Sequence, residues 1–140
     1  MPPFFVADAS FALAWAFADE SNPLADAAWI ALRNDSTTIH VPPLWMWEFI
    51  NALLVGEKRG RISREGIEQC VGALSRSQIR IVEETPAAAF SELPGYMRTH
   101  GLTSYDAAYL ALAIRSGFPI ATFDKALATA AKLEGVELVA

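Results

Sequence analysis

Two hydrophobic rhythms alternate along the 140-residue chain. Short apolar or β-branched runs recur at Phe4–Ala7, Thr38–Val41, Ile79–Val82, Pro119–Thr122 and Val136–Val139. Runs of this length and composition read as buried strands. Longer stretches lie between them: Ser10–Ala18, Pro23–Arg33, Pro42–Arg59, Ser63–Ser75, Pro86–Arg98, Thr103–Arg115 and Asp124–Leu133. They carry helix punctuation, with Asn22 before Pro23 as a cap, and Gly60 and Gly117 as stops. Such β-α alternation argues for an α/β fold on a mostly parallel sheet of about five strands. No internal repeat, low-complexity tract or linker interrupts it, so residues 1–140 are read as one domain.

The third and sixth helical stretches are the most apolar, which predicts burial on more than one side. In Leu44–Val55 the only polar side chains besides the indoles are Glu48 and Asn51. Their i, i+3 spacing puts them on one face, with Asn51 placed to orient the carboxylate. Met46, Phe49, Ile50 and Leu53 are the predicted core stripe opposite.

Four carboxylates break the apolar pattern. Asp8 is the only charged residue between Met1 and Ala18, Glu48 between Val41 and Gly56, and Asp106 between Gly101 and Ile114; Asp124 ends the uncharged run from Ser116. Desolvating a carboxylate costs several kcal/mol unless a partner or a metal compensates. Asp8 and Asp124 each follow a strand and start a helix, where an open parallel sheet binds its ligands. Capping explains either one locally. Thr103-Ser104-Tyr105-Asp106 fits a capping box, which accounts for Asp106. A mid-helix Glu among aromatics has no capping role. Shared binding of divalent cations accounts for all four, and all-oxygen ligands favour magnesium or manganese.

Composition narrows the alternatives. Apolar residues make up 53% of the chain, ample for a core, yet no uninterrupted apolar run reaches the roughly 18 residues of a membrane span. The first residues show no basic n-region or cleavage site, and a cytoplasmic location is expected. Cys70 stands alone, excluding an intrachain disulfide and a Cys-based zinc site. A net charge of −5 argues against a generic nucleic-acid binder, but not against an enzyme that reaches phosphates through cations. There is no Gly-rich phosphate loop and no nucleophile elbow. His40 and His100 are widely separated and are expected in loops, with structural roles.

The segments Val6-Ala7-Asp8-Ala9-Ser10, Glu48-Phe49-Ile50-Asn51-Ala52-Leu53, Leu102 to Tyr109 and Ala121-Thr122-Phe123-Asp124 resemble, in order and spacing, the PIN-domain ribonucleases, and among them the VapC-like toxins of toxin–antitoxin pairs. The resemblance covers essentially the whole chain. It implies a three-layer α/β/α fold and an acidic cluster of Asp8, Glu48, Asp106 and Asp124 holding one or two magnesium or manganese ions. Asp8 and Asp106 are the leading direct ligands. Ser10, Asn51 and Thr122 are implied supports. The implied reaction is endonucleolytic hydrolysis of RNA by metal-activated water, with an antitoxin protein and a second copy of the chain as partners. Lys125, and Arg59 and Arg61 in the Glu-Lys-Arg-Gly-Arg turn, are candidate RNA contacts. Two rivals stay open. One is a non-catalytic PIN-like binding module, for which Trp15, Trp29, Trp45 and Trp47 would supply interface aromatics. The other is an acidic α/β phosphatase or phosphoacceptor domain.

Overall fold

In a computed structural model describing residues 1–140, the strands are β1 Phe4–Ala7, β2 Thr38–Val41, β3 Ile79–Ile81 and β4 Ile120–Ala121. The helices are α1 Ala9–Leu13, α2 Pro23–Arg33, α3 Leu44–Lys58, α4 Arg64–Ser75, α5 Pro86–His100, α6 Ser104–Ser116 and α7 Lys125–Leu133, with a 3-10 turn at Ala18–Glu20. Sheet order is β3-β2-β1-β4 and every pairing is parallel.

This order follows from how parallel strands connect. Crossovers between parallel strands are right-handed. The β1-to-β2 and β2-to-β3 steps move the same way along the sheet, so α1 to α4 belong to one face. The step from β3 to β4 runs back past β1, which sends α5 and α6 to the other face. Helix pairing agrees: α1 packs on α3, α5 on α6, α6 on α7, and α6 on β1. The result is a three-layer α/β/α arrangement. Its strand order reverses between β1 and β4, and the carboxyl ends of those two strands flank the crevice where such sheets take ligands.

Burial explains why the elements hold. Phe5, Val6, Ala7, Ile39, Val41 and Ile120 in the strands are sealed from solvent, as are Phe11, Leu53, Leu110 and Leu127 in the helices. Residues Ala107 through Ala113 of α6 are all buried, as its apolar composition predicts. Thr103 caps α6 by accepting from the Asp106 N–H, and Gly117 closes it at φ 69°. Closure by a left-handed residue is the conformation for which glycine carries no steric penalty.

The structure corrects several expectations. The sheet has four strands rather than about five. Val136–Val139 contributes only a bridge between Leu138 and Ile120. The Val136 N–H is used by the Ala131 carbonyl at the end of α7, and β4 is two residues long, so no ladder extends beyond Ile120. The first helix ends at Leu13, because the next N–H groups tighten to i−3 carbonyls. That tightening brings Trp15 Nε1 to the Ala25 carbonyl and buries Phe17. Helix α3 is not buried all round. Its core stripe is Trp45, Phe49, Leu53 and Gly56, whereas Met46, Trp47, Ile50, Leu54 and Val55 are exposed. His40 lies in β2 and His100 at the end of α5, not in loops.

Helix α3, which carries Glu48, is fixed against the segment after α1 by one tight contact. A Cβ on Gly56 would run into the Phe17 ring. The same ring meets the Arg61 guanidinium at 4.0 Å, and Arg61 is itself paired with Asp19 and Glu20. Gly56→Ala is therefore expected to cost about 1–3 kcal/mol through overpacking. Urea unfolding of Gly56→Ala, Phe17→Leu and the double variant checks it: the double variant should lose less than the two single losses added together.

Candidate active site

Asp8 is the first residue past β1, and it is 4% exposed. Its extended backbone lets the carboxylate cap α1, with Oδ1 accepting from the Phe11 N–H at 2.9 Å. The same oxygen accepts from Ser10 Oγ at 2.7 Å, and Oδ2 accepts from the Thr122 hydroxyl. Both hydroxyls serve twice: Ser10 Oγ accepts from the Phe123 N–H at 3.1 Å and Thr122 Oγ1 from the Asp124 N–H at 3.0 Å. Two small side chains thus knit the end of β1 to the end of β4. The register Ala7↔Ala121 and the Asp8 N–H bond to the Ala121 carbonyl bring those ends together.

Asp124 caps α7 through Oδ1, which accepts from the Leu127 N–H at 2.8 Å. Asp106, in the first turn of α6, behaves otherwise. Thr103 forms its half of a capping box, but no return bond comes from the Asp106 carboxylate. Capping therefore does not account for Asp106. Glu48 reaches in from α3, and its Oε1 accepts from Tyr109 Oη at 2.6 Å.

Electrostatics join the four into one group. Burial raises the Asp106 carboxyl to about 6, and the charges of Asp124, Asp8 and Glu48 push in the same direction. Burial also raises Asp8 against its three hydrogen bonds, with help from Asp124. Glu48 is raised by burial and by Asp8, against the Tyr109 bond. No arginine, lysine or histidine pairs with any of the four; the chain's ion pairs lie elsewhere. Nor do the acids form a ready-made cage: no three Asp, Glu, His or Cys side chains converge tightly enough to ligate an ion. Repulsion without a counter-charge opposes closer approach.

Tyr109 is the site residue that sequence reasoning missed. Its signal was the i, i+3 step from Asp106, which puts both on one face of α6. Asn51, the predicted partner of Glu48, is exposed, and the carboxylate is held from α6 instead. Arg59 is exposed at the end of α3, and Lys125 is exposed in the first turn of α7 beside Asp124. Arg61 would have to release Asp19 and Glu20 before it could touch RNA. His40 is flanked by the Phe4 and Phe118 rings and leaves Nδ1 buried without a partner, a structural setting. Cys70 is buried and unpaired. No helix is long and apolar enough to cross a membrane.

The PIN-domain family model matches residues 5–133, and the chain belongs to that family. Among solved structures it is similar to PAE2754 from Pyrobaculum aerophilum, at 25% identity and a TM-score of 0.70 over 96% of this chain and 83% of that one. It is also similar to VapC20 of Mycobacterium tuberculosis, a sarcin-ricin loop cleaving toxin, at 14% identity and a TM-score of 0.63 over 90% and 94%. FitAcB from Neisseria gonorrhoeae gives 20% identity and a TM-score of 0.59 over 97% and 96%. The last two likenesses are of fold. No curated protein sequence matches the chain.

The raised Asp106 carboxyl makes a thermodynamic prediction. A carboxyl that holds its proton more tightly folded than unfolded adds stability at low pH and loses it as pH rises, here between 3.8 and about 6. Without divalent cations, Asp106→Asn should thus stabilise the protein at pH 7 and have little effect at pH 4. For this partly exposed group the gain, discounted for solvent screening, is on the order of 1 kcal/mol, or about 3–4 °C in melting temperature. Melting curves in chelator at the two pH values check it.

Proposed function

We propose that the protein is a magnesium- or manganese-dependent endoribonuclease, the toxin of a toxin–antitoxin pair. The observation that supports this is the electrostatic coupling of Asp106 to Asp124, Asp8 and Glu48, none of them paired with a cation, in a PIN-family chain. The donor set suits a hard divalent ion: all oxygen, surplus negative charge and no competing cation. Asp8 and Asp106 would hold the metal directly, with Glu48 and Asp124 completing the site for one ion or two. When bound, such an ion supplies Lewis-acid activation of water and neutralises charge on the phosphate.

The chain's own residues then have separable tasks. Ser10, the Phe11 N–H and Thr122 occupy three lone-pair positions of Asp8, so the carboxylate keeps one orientation. Tyr109 does the same for one oxygen of Glu48. These bonds preorganise the acids before substrate arrives, which lowers the cost of organising the site during the reaction. Hydrolysis by water needs no side-chain nucleophile.

Partner surfaces fit the same reading. Trp15, Trp29, Ile62, Cys70 and Ala73 line a groove of about 330 Å³ between the early helices and α4, which suits an apolar antitoxin segment. The exposed row of Met46, Trp47, Ile50 and Leu54 on α3 suits self-association into a homodimer. VapC20, a structural neighbour, is a sarcin-ricin loop cleaving toxin, which is in keeping with the nuclease reading here.

Cleavage of labelled RNA with manganese or magnesium is the test. The wild type should cut and chelator should stop it. Asp8→Asn and Asp106→Asn should each lose a factor of about 10²–10³, corresponding to several kcal/mol of transition-state stabilisation. Thr122→Ala, which frees Asp8 Oδ2, should lose roughly 10-fold to 100-fold. Equal activity in wild type, Asp8→Asn and Asp106→Asn would refute the assignment.

A further inference from the structure

An open groove of about 410 Å³ runs between the end of α5 and one face of α7. Its α7 wall is Lys125, Ala126, Thr129 and Leu133, and its α5 wall is Thr99 and His100. Positions 125, 129 and 133 recur at i, i+4 and form one stripe, about 12 Å long at 1.5 Å per residue.

Where the groove begins is the informative point. The α5 wall passes through Gly101 and Leu102 directly into Thr103, whose hydroxyl holds the Asp106 N–H. The α7 wall starts at the residue after Asp124, which caps that helix. The Lys125 end of the groove therefore adjoins Asp124, whose charge also bears on Asp106, while His100, bonded to Glu134, lies toward the other end of α7. Lys125 is exposed and in no ion pair; every ion pair of the chain uses an arginine or His100. Thr99 and Thr129 are exposed hydroxyls farther along. Buried Ala130 leaves room between the walls. His100 is a rigid part of the wall, since its ring is 5% exposed and pinned to Glu134 at 2.7 Å.

A strand bearing a phosphate matches the end nearest Asp124, with a cation there and hydroxyls and small apolar groups beyond it, before Leu133 and the His100–Glu134 pair at the far end. We propose that the groove takes the single-stranded RNA nucleotides adjoining the scissile phosphate, with Lys125 on the first neighbouring phosphate and Thr129 and Thr99 on the backbone that follows. This rests on the nuclease reading and adds to it a direction for the strand, out of the acidic site along α7. Contacts to phosphate and sugar position a strand without reading its sequence, so the groove sets register rather than base preference.

The test compares full-length wild type with K125Q, T129F and K132Q. T129F plugs the groove from an exposed helix position. K132Q removes an equal charge from the same helix outside the groove. Cleavage kinetics are measured with manganese, and binding is followed by fluorescence anisotropy on a labelled single-stranded RNA of about 12 nucleotides. K125Q should raise KM and Kd roughly 5-fold to 10-fold with kcat nearly unchanged, and lower the slope of log affinity against log salt by about 0.7. T129F should weaken binding similarly without changing that slope, and K132Q should behave as wild type. If K125Q and T129F match wild type in KM and Kd, the groove assignment is overturned while the nuclease reading stands. RNA binding without cutting, weakened in K125Q, upholds the groove and overturns the nuclease. A wild type that neither binds nor cuts RNA overturns both.

Discussion

Asp8 carries a charge into the interior, and three donors keep it there: the Ser10 and Thr122 hydroxyls and the Phe11 N–H. Thr122 arrives from a strand more than a hundred residues away in sequence, so this is a long-range tie and not a local cap. It fixes the distance between the ends of β1 and β4, and through the Asp124 N–H it sets where the last acid stands. Removing a partner from a buried hydrogen-bonded carboxylate leaves the charge uncompensated, at a cost of several kcal/mol. On the proposed reading, the sheet order, the end of β4 and the α6 cap bring acids to this one crevice.

The price of that delivery is repulsion. Asp106 is raised to about 6, and Asp8 and Glu48 are raised too, because each is desolvated near like charges. A fold concerned only with stability would pair or remove such groups. Strain concentrated at one crevice, with hydroxyls and a phenol aligning the acids, is the pattern of a site that waits for an opposite charge. Tyr109 shows the same coupling, since its phenol is held protonated by burial and by the charges of Glu48 and Asp8.

Much of this was legible in the residues. Strand and helix rhythm placed Asp8 and Asp124 at strand ends, and Glu48 lacked a local explanation from the start. Ser10 and Thr122 stand at the positions that the family resemblance implied for supports, and both hydrogen-bond to Asp8. What escaped was set by tertiary contact. Asn51 and Tyr109 both sit at i+3 from a site acid, one on α3 and one on α6. Helical spacing alone does not reveal which one faces the crevice. Packing decides: α3 buries Trp45, Phe49 and Leu53, which leaves Asn51 outside, whereas Tyr109 is 1% exposed. Apolar Met46 and Ile50 misled for the same reason, because hydrophobicity does not distinguish a core face from a surface kept for a partner. The fifth strand failed on hydrogen-bond supply, not on composition, as Val136 is tied to α7.

The central claim is that Asp8, Glu48, Asp106 and Asp124 are one cation site. Melting temperature measured against manganese concentration at pH 7, for wild type and Asp8→Asn, tests it without reference to activity. Ligand that binds only the folded state adds RT ln(1 + [L]/Kd), about 2.7 kcal/mol at a hundredfold excess over Kd. The account predicts a saturable rise of several degrees in wild type that is lost or greatly weakened in Asp8→Asn. A wild-type melting temperature indifferent to manganese, or an identical rise in both proteins, would contradict it.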